Sequence, residues 1–246
     1  MSSIAEGPQR LYLFPLSYTQ VPTPQGGALA MVNGSYLVVT GQGKNILIDT
    51  GWPADFDYLP GAPTRDHARP VTEHLAALGL SPERIDVVIC SHFDSDHVGA
   101  HDLFPQAEFV VQREQYQIAR GGHPRFAPAR SHWDHPALRY CEIDGDTELL
   151  PGIRLIATSG HAPGHQSVLV SLPQTGWALL AVDAVVLERL FTVERRAWPT
   201  DDDEIQLRNS TQKLRDLVAQ LNIQLVIFGH DGEQWRRLKH APDYYA

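Results

Sequence analysis

Ser91-His92-Phe93-Asp94-Ser95-Asp96-His97 places four metal-binding side chains within six residues, directly after the apolar run Ile85-Asp86-Val87-Val88-Ile89-Cys90. A short buried strand ending in such a cluster delivers several donors from one tight turn to one point. More donors follow at long range in Gly160-His161-Ala162-Pro163-Gly164-His165 and Phe228-Gly229-His230-Asp231, and Ala181-Val182-Asp183 ends another apolar run with a carboxylate. Each piece follows a strand-like run, so a layered fold would gather all of them at one sheet edge. The candidate ligands are His92, Asp94, Asp96, His97, His165, Asp183 and His230. Mixed imidazole and carboxylate sets suit zinc or iron(II). Two such ions acidify a shared water and polarise a carbonyl or phosphoryl oxygen, which is hydrolase chemistry. Alternation along an extended turn is expected to point His92, Asp94 and Asp96 together, with His97 offset towards a second ion and Asp183 able to bridge both.

The elements that must position these residues are legible as alternating runs. Leu11 to Leu16 reads as a first strand, followed by a Pro/Gly-rich loop from Val21 to Gly27. Ser35 to Thr40 and Asn45 to Asp49 read as a hairpin. Pro60 to Pro70 is loop; a helix then begins at Pro70, with Val71, Leu75 and Leu78 on one face and Gly79 as its stop. Asp86 to Cys90 is the strand that feeds the ligand turn. Glu108 to Val111 is a strand and Gln112 to Ala119 a helix, while Gly121 to Pro136 has no period and is expected to be a long, functional loop. Strands recur at 138–143, 147–150, 153–157, 167–171 and 177–182, and 191–200 is irregular. Thr200 is expected to cap a helix whose first turn is Asp201-Asp202-Asp203-Glu204 and whose core face is Leu207, Leu214, Val218 and Leu221. Ile223 to Phe228 is a last strand and Glu233 to Leu238 a closing helix. Strands in two batches, each followed by helices, predict two packed sheets with helices outside, an α/β sandwich.

Composition narrows the function classes. With 43% apolar and 20% charged residues, the 246-residue chain has an ordinary globular composition, and residues 1–246 read as a single domain. A net charge of −9 without a basic cluster argues against a nucleic-acid partner. Cys90 and Cys141, with no CxxC pair, exclude a disulfide framework or a cysteine zinc knuckle and suit a reducing cytoplasm. No apolar run has the length of a membrane span, and the Leu11–Leu16 block is too short and too interrupted by Pro15 for a signal peptide. The expected protein is cytoplasmic, with no membrane partner.

The motifs resemble the metallo-β-lactamase superfamily, whose signature is His-x-His-x-Asp-His followed by a His, a bridging Asp and a final His. Within it the chain looks most like the N-acyl homoserine lactonases, through Ile48-Asp49-Thr50-Gly51, the Ser91–Gly99 motif, His161 to Ser167, Asp183, Phe228 to Asp231 and the Gln234–Tyr245 segment. The resemblance implies an αβ/βα four-layer sandwich with two divalent metal ions, zinc first among them, at one edge of the sheets. It implies that one ion takes His92, Asp94 and His165, the second Asp96, His97 and His230, with Asp183 between them. Asp96 would be catalytic, handing a proton to the leaving alkoxide as a lactone ring opens. Asp49 would brace the ligand turn, and His161 would be structural. The implied partner is a small lactone or ester, with a homodimer as candidate assembly.

Two positions depart from the family pattern. Asp94 stands where the second histidine is usual, and Val186 stands where the lactonases commonly carry a tyrosine that contacts the substrate carbonyl. Tyr116, His132 and His135 are candidate replacements for that hydroxyl. With three carboxylates, two divalent ions and one hydroxide the ligand shell sums to zero, whereas histidine at position 94 would leave +1. A neutral shell acidifies water less and favours iron or manganese over zinc. Other readings are a thioesterase resembling glyoxalase II, a phosphodiesterase, and a di-iron redox module. The last resembles the flavodiiron proteins, which also carry a carboxylate at the position of Asp94, but the chain has no flavin-binding segment.

Overall fold

Strand alternation divides the apolar residues between the two faces of a sheet, and this division sets the layer order. In the computed structural model, which describes residues 6–23, 26–54 and 65–246, seven strands form one sheet and five form another. The first contains β1 (Pro8–Pro22), β2 (Ala28–Thr40), β3 (Asn45–Ile48), β4 (Arg65–Asp66), β5 (Val87–Ile89), β6 (Glu108–Gln112) and β7 (Arg139–Ile143), in the order β4-β1-β2-β3-β5-β6-β7. The second contains β8 (Thr147–Leu150), β9 (Ile153–Ala157), β10 (Gln166–Leu172), β11 (Gly176–Val182) and β12 (Leu225–Phe228), in the order β12-β11-β10-β9-β8.

Leu11 and Leu13 of β1, Val87 and Ile89 of β5, and Val110 of β6 meet Val168, Val170, Ala178 and Leu180 of the second sheet in one buried cluster. The alternate residues Tyr12, Phe14, Val88, Cys90, Phe109 and Val111 pack outward with residues of the helices α1 (Val71–Ala77), α2 (Ser95–Val98), α3 (Arg113–Arg120) and α4 (Arg130–Trp133). On the far side, Leu169, Leu179 and Ala181 pack with Leu214 of α5 (Glu204–Gln220). The result is the expected four-layer αβ/βα sandwich. A last short helix, α6 (Gly232–Trp235), buries Trp235 against Tyr36 of β2. No helix among the described residues is long and apolar enough to cross a membrane.

Three expectations change in detail. Strands β1 and β2 run well beyond the predicted 11–16 and 35–40, pairing from Pro8↔Thr40 to Pro22↔Ala28. The stretch 121–136 is not wholly loop: a 3₁₀ turn at Pro124–Phe126 and helix α4 form there because Phe126, Ala129 and Trp133 are drawn into the outer core. The cap of α5 is Asp203 rather than Thr200, since the Asp203 carboxylate accepts the Ile205 and Gln206 N–H groups. Residues 60–64 of the predicted Pro60–Pro70 loop, and residues 24 and 25 of the earlier loop, lie outside the described residues.

The outer core also encloses His101, which is fully buried against Phe109 and the Tyr140 hydroxyl. Burial pushes its pKa down from 6.5 to about 3, so the folded chain holds it neutral. Between these values the unfolded chain binds more protons, and stability falls as pH drops below the unfolded value. This one group should remove up to about 1.4 kcal/mol per pH unit in that window. Urea unfolding at pH 7 and pH 5 is expected to show a smaller loss for His101→Gln than for the unaltered chain; equal losses would contradict the assignment.

Candidate metal centre

The parallel pairing of β3 with β5 ends both strands at the same edge, with Ile48 opposite Ile89. Asp49 then turns with φ 58, a left-handed conformation that aspartate tolerates better than most residues, and its carboxylate swings across to the neighbouring strand end. Asp49 Oδ1 accepts the Ser91 N–H at 2.8 Å, and Oδ2 accepts the Ser91 hydroxyl at 2.6 Å. The same Oδ2 lies 2.8 Å from His97 Nδ1. The Ser91 hydroxyl proton is committed to Asp49, so its oxygen accepts from His92 Nδ1 at 2.9 Å. One buried carboxylate thereby places the proton of both imidazoles on Nδ1 and leaves both Nε2 atoms as acceptors.

The second sheet supplies the facing donors. β10 is antiparallel to both β9 and β11, and β12 is parallel to β11. The start of β10 and the ends of β9, β11 and β12 therefore share one edge, which places His165, Asp183 and His230 together. Val182 holds φ 48 and ψ −137, a rare conformation for a β-branched residue, and this reversal carries Asp183 into the cleft. Gly229 allows the approach: a Cβ there would stand 2.6 Å from Asp183 Oδ1 and 2.6 Å from the Val182 carbonyl oxygen. His230 Nδ1 donates to the Val32 carbonyl at 2.7 Å, tying the second sheet to β2. His165 Nδ1 meets Thr158 Oγ1 at 2.9 Å, and its Nε2 accepts the Asp183 backbone N–H at 3.2 Å.

Asp183 Oδ2 sits at the middle of these groups. It lies 2.9 Å from His230 Nε2, 3.7 Å from His97 Nε2, 3.3 Å from His161 Nε2 and 4.0 Å from His92 Nε2. Asp96 Oδ2 is 3.6 Å from both His97 Nε2 and His230 Nε2. Donors on a tetrahedral ion with bonds of about 2.1 Å stand about 3.4 Å apart, so these separations are close to those of metal ligands. Donor atoms of His92, His161 and Asp183 lie within 4.8 Å of one another, as do those of Asp96, His97 and His230. His92 Nε2, His97 Nε2 and Asp183 Oδ1 are buried without a hydrogen-bond partner, an arrangement that proteins avoid unless something else satisfies the atoms. Divalent cations, one in each donor group, would satisfy the two imidazoles.

The ligand turn itself differs from simple alternation. Asp94 is extended and α2 begins at Ser95, so Asp96 and His97 leave on a helical turn and both reach the second group. Asp94 instead faces Arg125, whose Nε and Nη2 lie 2.6 and 2.5 Å from its two oxygens. His161 joins this corner, with Nε2 3.2 Å from Asp94 Oδ2. Burial opposes the Asp94 charge, but His92, His161 and Arg125 together hold its carboxyl well below the usual range. Burial likewise opposes protonation of His161, while its bonds to Asp201 and Asp94 raise its pKa to about 9. The Asp94, Asp96 and Arg125 side chains are 19%, 20% and 18% exposed and form the open side of an otherwise closed site.

Arg125, His161 and Asp201 were not in the predicted set. The His-x-Pro-Gly-His spacing held the signal for His161; Arg125 and Asp201 carry none, since their position depends on the packing of 121–136 and the start of α5. The candidates for a hydroxyl donor lie elsewhere. Tyr116 packs against Phe93 and Tyr140 in the outer core, His132 bonds Asp102, and His135 accepts the Ala137 N–H. Val186 is buried and offers only its carbonyl, which accepts the His230 N–H at 2.9 Å. A cavity of about 340 Å³ opens behind α2 and is lined by residues including Leu16, Asn33, Thr50, Trp52 and Val71. From the stretch 121–136 it takes only His132.

The model of the metallo-β-lactamase superfamily matches residues 31–230. The chain belongs to this superfamily. An N-acyl homoserine lactonase of Bacillus cereus is 31% identical over 233 residues, covering 89% of each chain. The lactonase AttM of Rhizobium radiobacter is 34% identical over 202 residues, covering 75% of this chain and 72% of its own. A crystal structure of an N-acyl homoserine lactone hydrolase, with N-hexanoyl-L-homoserine bound at its catalytic metal centre, superposes with a TM-score of 0.84 at 27% identity. It covers 97% of this chain and 100% of that one.

Asp49→Asn tests the bracing. Asparagine keeps the shape and tolerates the left-handed turn, but its amide nitrogen would face His97 Nδ1 and drive the ring proton to Nε2. Zinc affinity measured by chelator competition is expected to fall about 10–100-fold, and an unchanged affinity would refute the tautomer argument.

Proposed function

We propose that this superfamily member is a metal-dependent hydrolase that opens the ring of N-acyl homoserine lactones or related small lactones, and that one domain spanning the chain performs it in the cytoplasm. The observation that carries the reading is the pair of donor groups sharing Asp183 Oδ2, on a chain that matches lactonases along most of its length. The unpaired Cys90 and Cys141 accord with a reducing compartment.

One ion is assigned to Asp96, His97 and His230. The other would be held by His92, by His165 once its Nε2 exchanges the Asp183 N–H for the ion, and by a further donor from the Asp94–His161 corner, with Asp183 close to both groups. Zinc is the proposed ion, with iron or manganese favoured to the extent that Asp94 adds charge. When bound, such ions supply an acidified water and a Lewis acid for the carbonyl. The residues themselves orient and move protons. Asp183 and the Nδ1-anchored imidazoles fix the geometry. Asp96, at the open side, takes the proton of the attacking water and returns it to the ring oxygen as the acyl C–O bond breaks, leaving an acid and an alcohol. Val186 contributes no hydroxyl, so the carbonyl oxygen has no donor from that position. This departure favours testing thioesters and phosphodiesters beside lactones.

The test is a pH-stat screen of N-hexanoyl and N-decanoyl homoserine lactone, a thioester and a phosphodiester, with zinc, manganese and iron(II) supplied separately. The lactones are expected to be opened fastest, with activity abolished by a chelator and restored by metal. A faster thioester or phosphodiester would replace the lactonase reading. Fewer than about one metal per chain after purification would remove the metal-dependent one.

A further inference from the structure

Five imidazoles converge on the centre, and each has its Nδ1 tied to a protein oxygen: His92 to Ser91, His97 to Asp49, His165 to Thr158, His230 to Val32 and His161 to Asp201. Such anchoring is what a metal-bound histidine shows, because it fixes the tautomer and aims Nε2. The His161 anchor is among the strongest kinds, a carboxylate. Asp201 Oδ1 lies 2.7 Å from Nδ1, its side chain is 3% exposed, and its other oxygen accepts the Trp198 N–H at 2.6 Å. Asp201 thus stands behind His161 as Asp49 stands behind His97. His161 Nε2 in turn stands 3.3 Å from the shared Asp183 Oδ2, 3.2 Å from Asp94 Oδ2 and 3.0 Å from Arg125 Nη2, and it groups with His92.

Asp94, the sequence's counterpart of the missing family histidine, keeps Oδ2 3.3 Å from His92 Nε2 but is bound more closely elsewhere. Its two oxygens meet the two-pronged edge of Arg125, the strongest pairing a carboxylate makes with a side chain. Arg125 is further fixed by its Nη1, which donates to the Thr200 carbonyl at 2.7 Å. A carboxylate held this way has its charge largely spent on the guanidinium.

We propose that His161, backed by Asp201, takes the ligand position that the family pattern gives to residue 94, and that Asp94 serves to hold Arg125 at the edge of the centre. The inference rests on the metal-dependent reading above. It also resolves the charge difference. Adding the guanidinium to the neutral sum of three carboxylates, two divalent ions and one hydroxide returns +1, the value that a histidine at position 94 would give. Exchange of the two roles therefore leaves the electrostatics of the site as in the family pattern while changing which residue binds.

The test counts ions. The unaltered chain, His161→Ala, Asp94→Asn and Asp201→Asn are loaded with zinc, dialysed against a chelator that leaves two ions on the unaltered chain, and measured by elemental analysis. Cobalt(II) loading, followed by visible absorbance, reports loss of a nitrogen donor independently of activity. Expected are one ion on His161→Ala and two on Asp94→Asn. Asp201→Asn should bind the more weakly held ion about 10–100-fold less tightly. Two ions on His161→Ala, or one on Asp94→Asn, would overturn the proposal. Should His161→Ala fail to fold, Asp201→Asn decides: unchanged affinity and an unchanged cobalt spectrum reject the role of His161. An unaltered chain that holds no ion would instead bring down the metal-dependent reading itself.

Discussion

The centre depends first on where protons sit on imidazole rings, and the Asp49 carboxylate sets this for the first sheet. A histidine protonated on the wrong nitrogen is a donor where an acceptor is needed, so a cluster of histidines is useful only if something chooses the tautomer. Asp49 chooses for His97 directly and for His92 through the Ser91 hydroxyl. It can do so because β3 and β5 are adjacent and parallel, which brings the residues after Ile48 and Ile89 within one hydrogen bond of each other. The pairing of two strands is thereby converted into the orientation of two lone pairs.

The same logic extends across the sandwich. Gln166 sits at the start of β10, and its side-chain amide donates to the Cys90 carbonyl at 2.8 Å while its backbone N–H donates to the Ser91 carbonyl at 2.9 Å. His230 closes the other side by bonding the Val32 carbonyl. The two sheets are therefore stitched at the point where their donors meet, and the large apolar cluster between them fixes the separation. Four layers are a costly way to hold a few side chains, but donor separations near those of a coordinated ion demand that neither sheet slide.

Much of this was legible in the sequence because it follows from periodicity. Alternating runs gave the strands, and a donor after each run gave His92, Asp96, His97, His165, Asp183 and His230 a common edge. What was hidden depends on contacts between segments distant in the chain. Arg125 lies in a stretch without period, and nothing local distinguishes it from the exposed arginines at 120 and 130; its role exists only because Phe126 and Trp133 anchor the surrounding turns in the core. The acidic run 201–203 reads as one helix start, yet its members separate: Asp203 caps α5, while Asp201 faces back to His161. Propensity marks such a run as favourable for a helix terminus and is silent on which carboxylate is needed elsewhere. Position 94 illustrates the limit of motif reading, since the motif identifies the slot and the surroundings decide its use.

Val182 carries a further consequence. A valine backbone in that conformation is expected to cost about 1–3 kcal/mol, and the packing of β11 together with the contacts of Asp183 must oppose its relaxation. Among those contacts is His230, whose Nε2 lies 2.9 Å from Asp183 Oδ2, so the strained turn and the histidine of the neighbouring strand end hold each other in place. Backbone strain is thus spent before anything enters the cleft, and the carboxylate it presents is already in position.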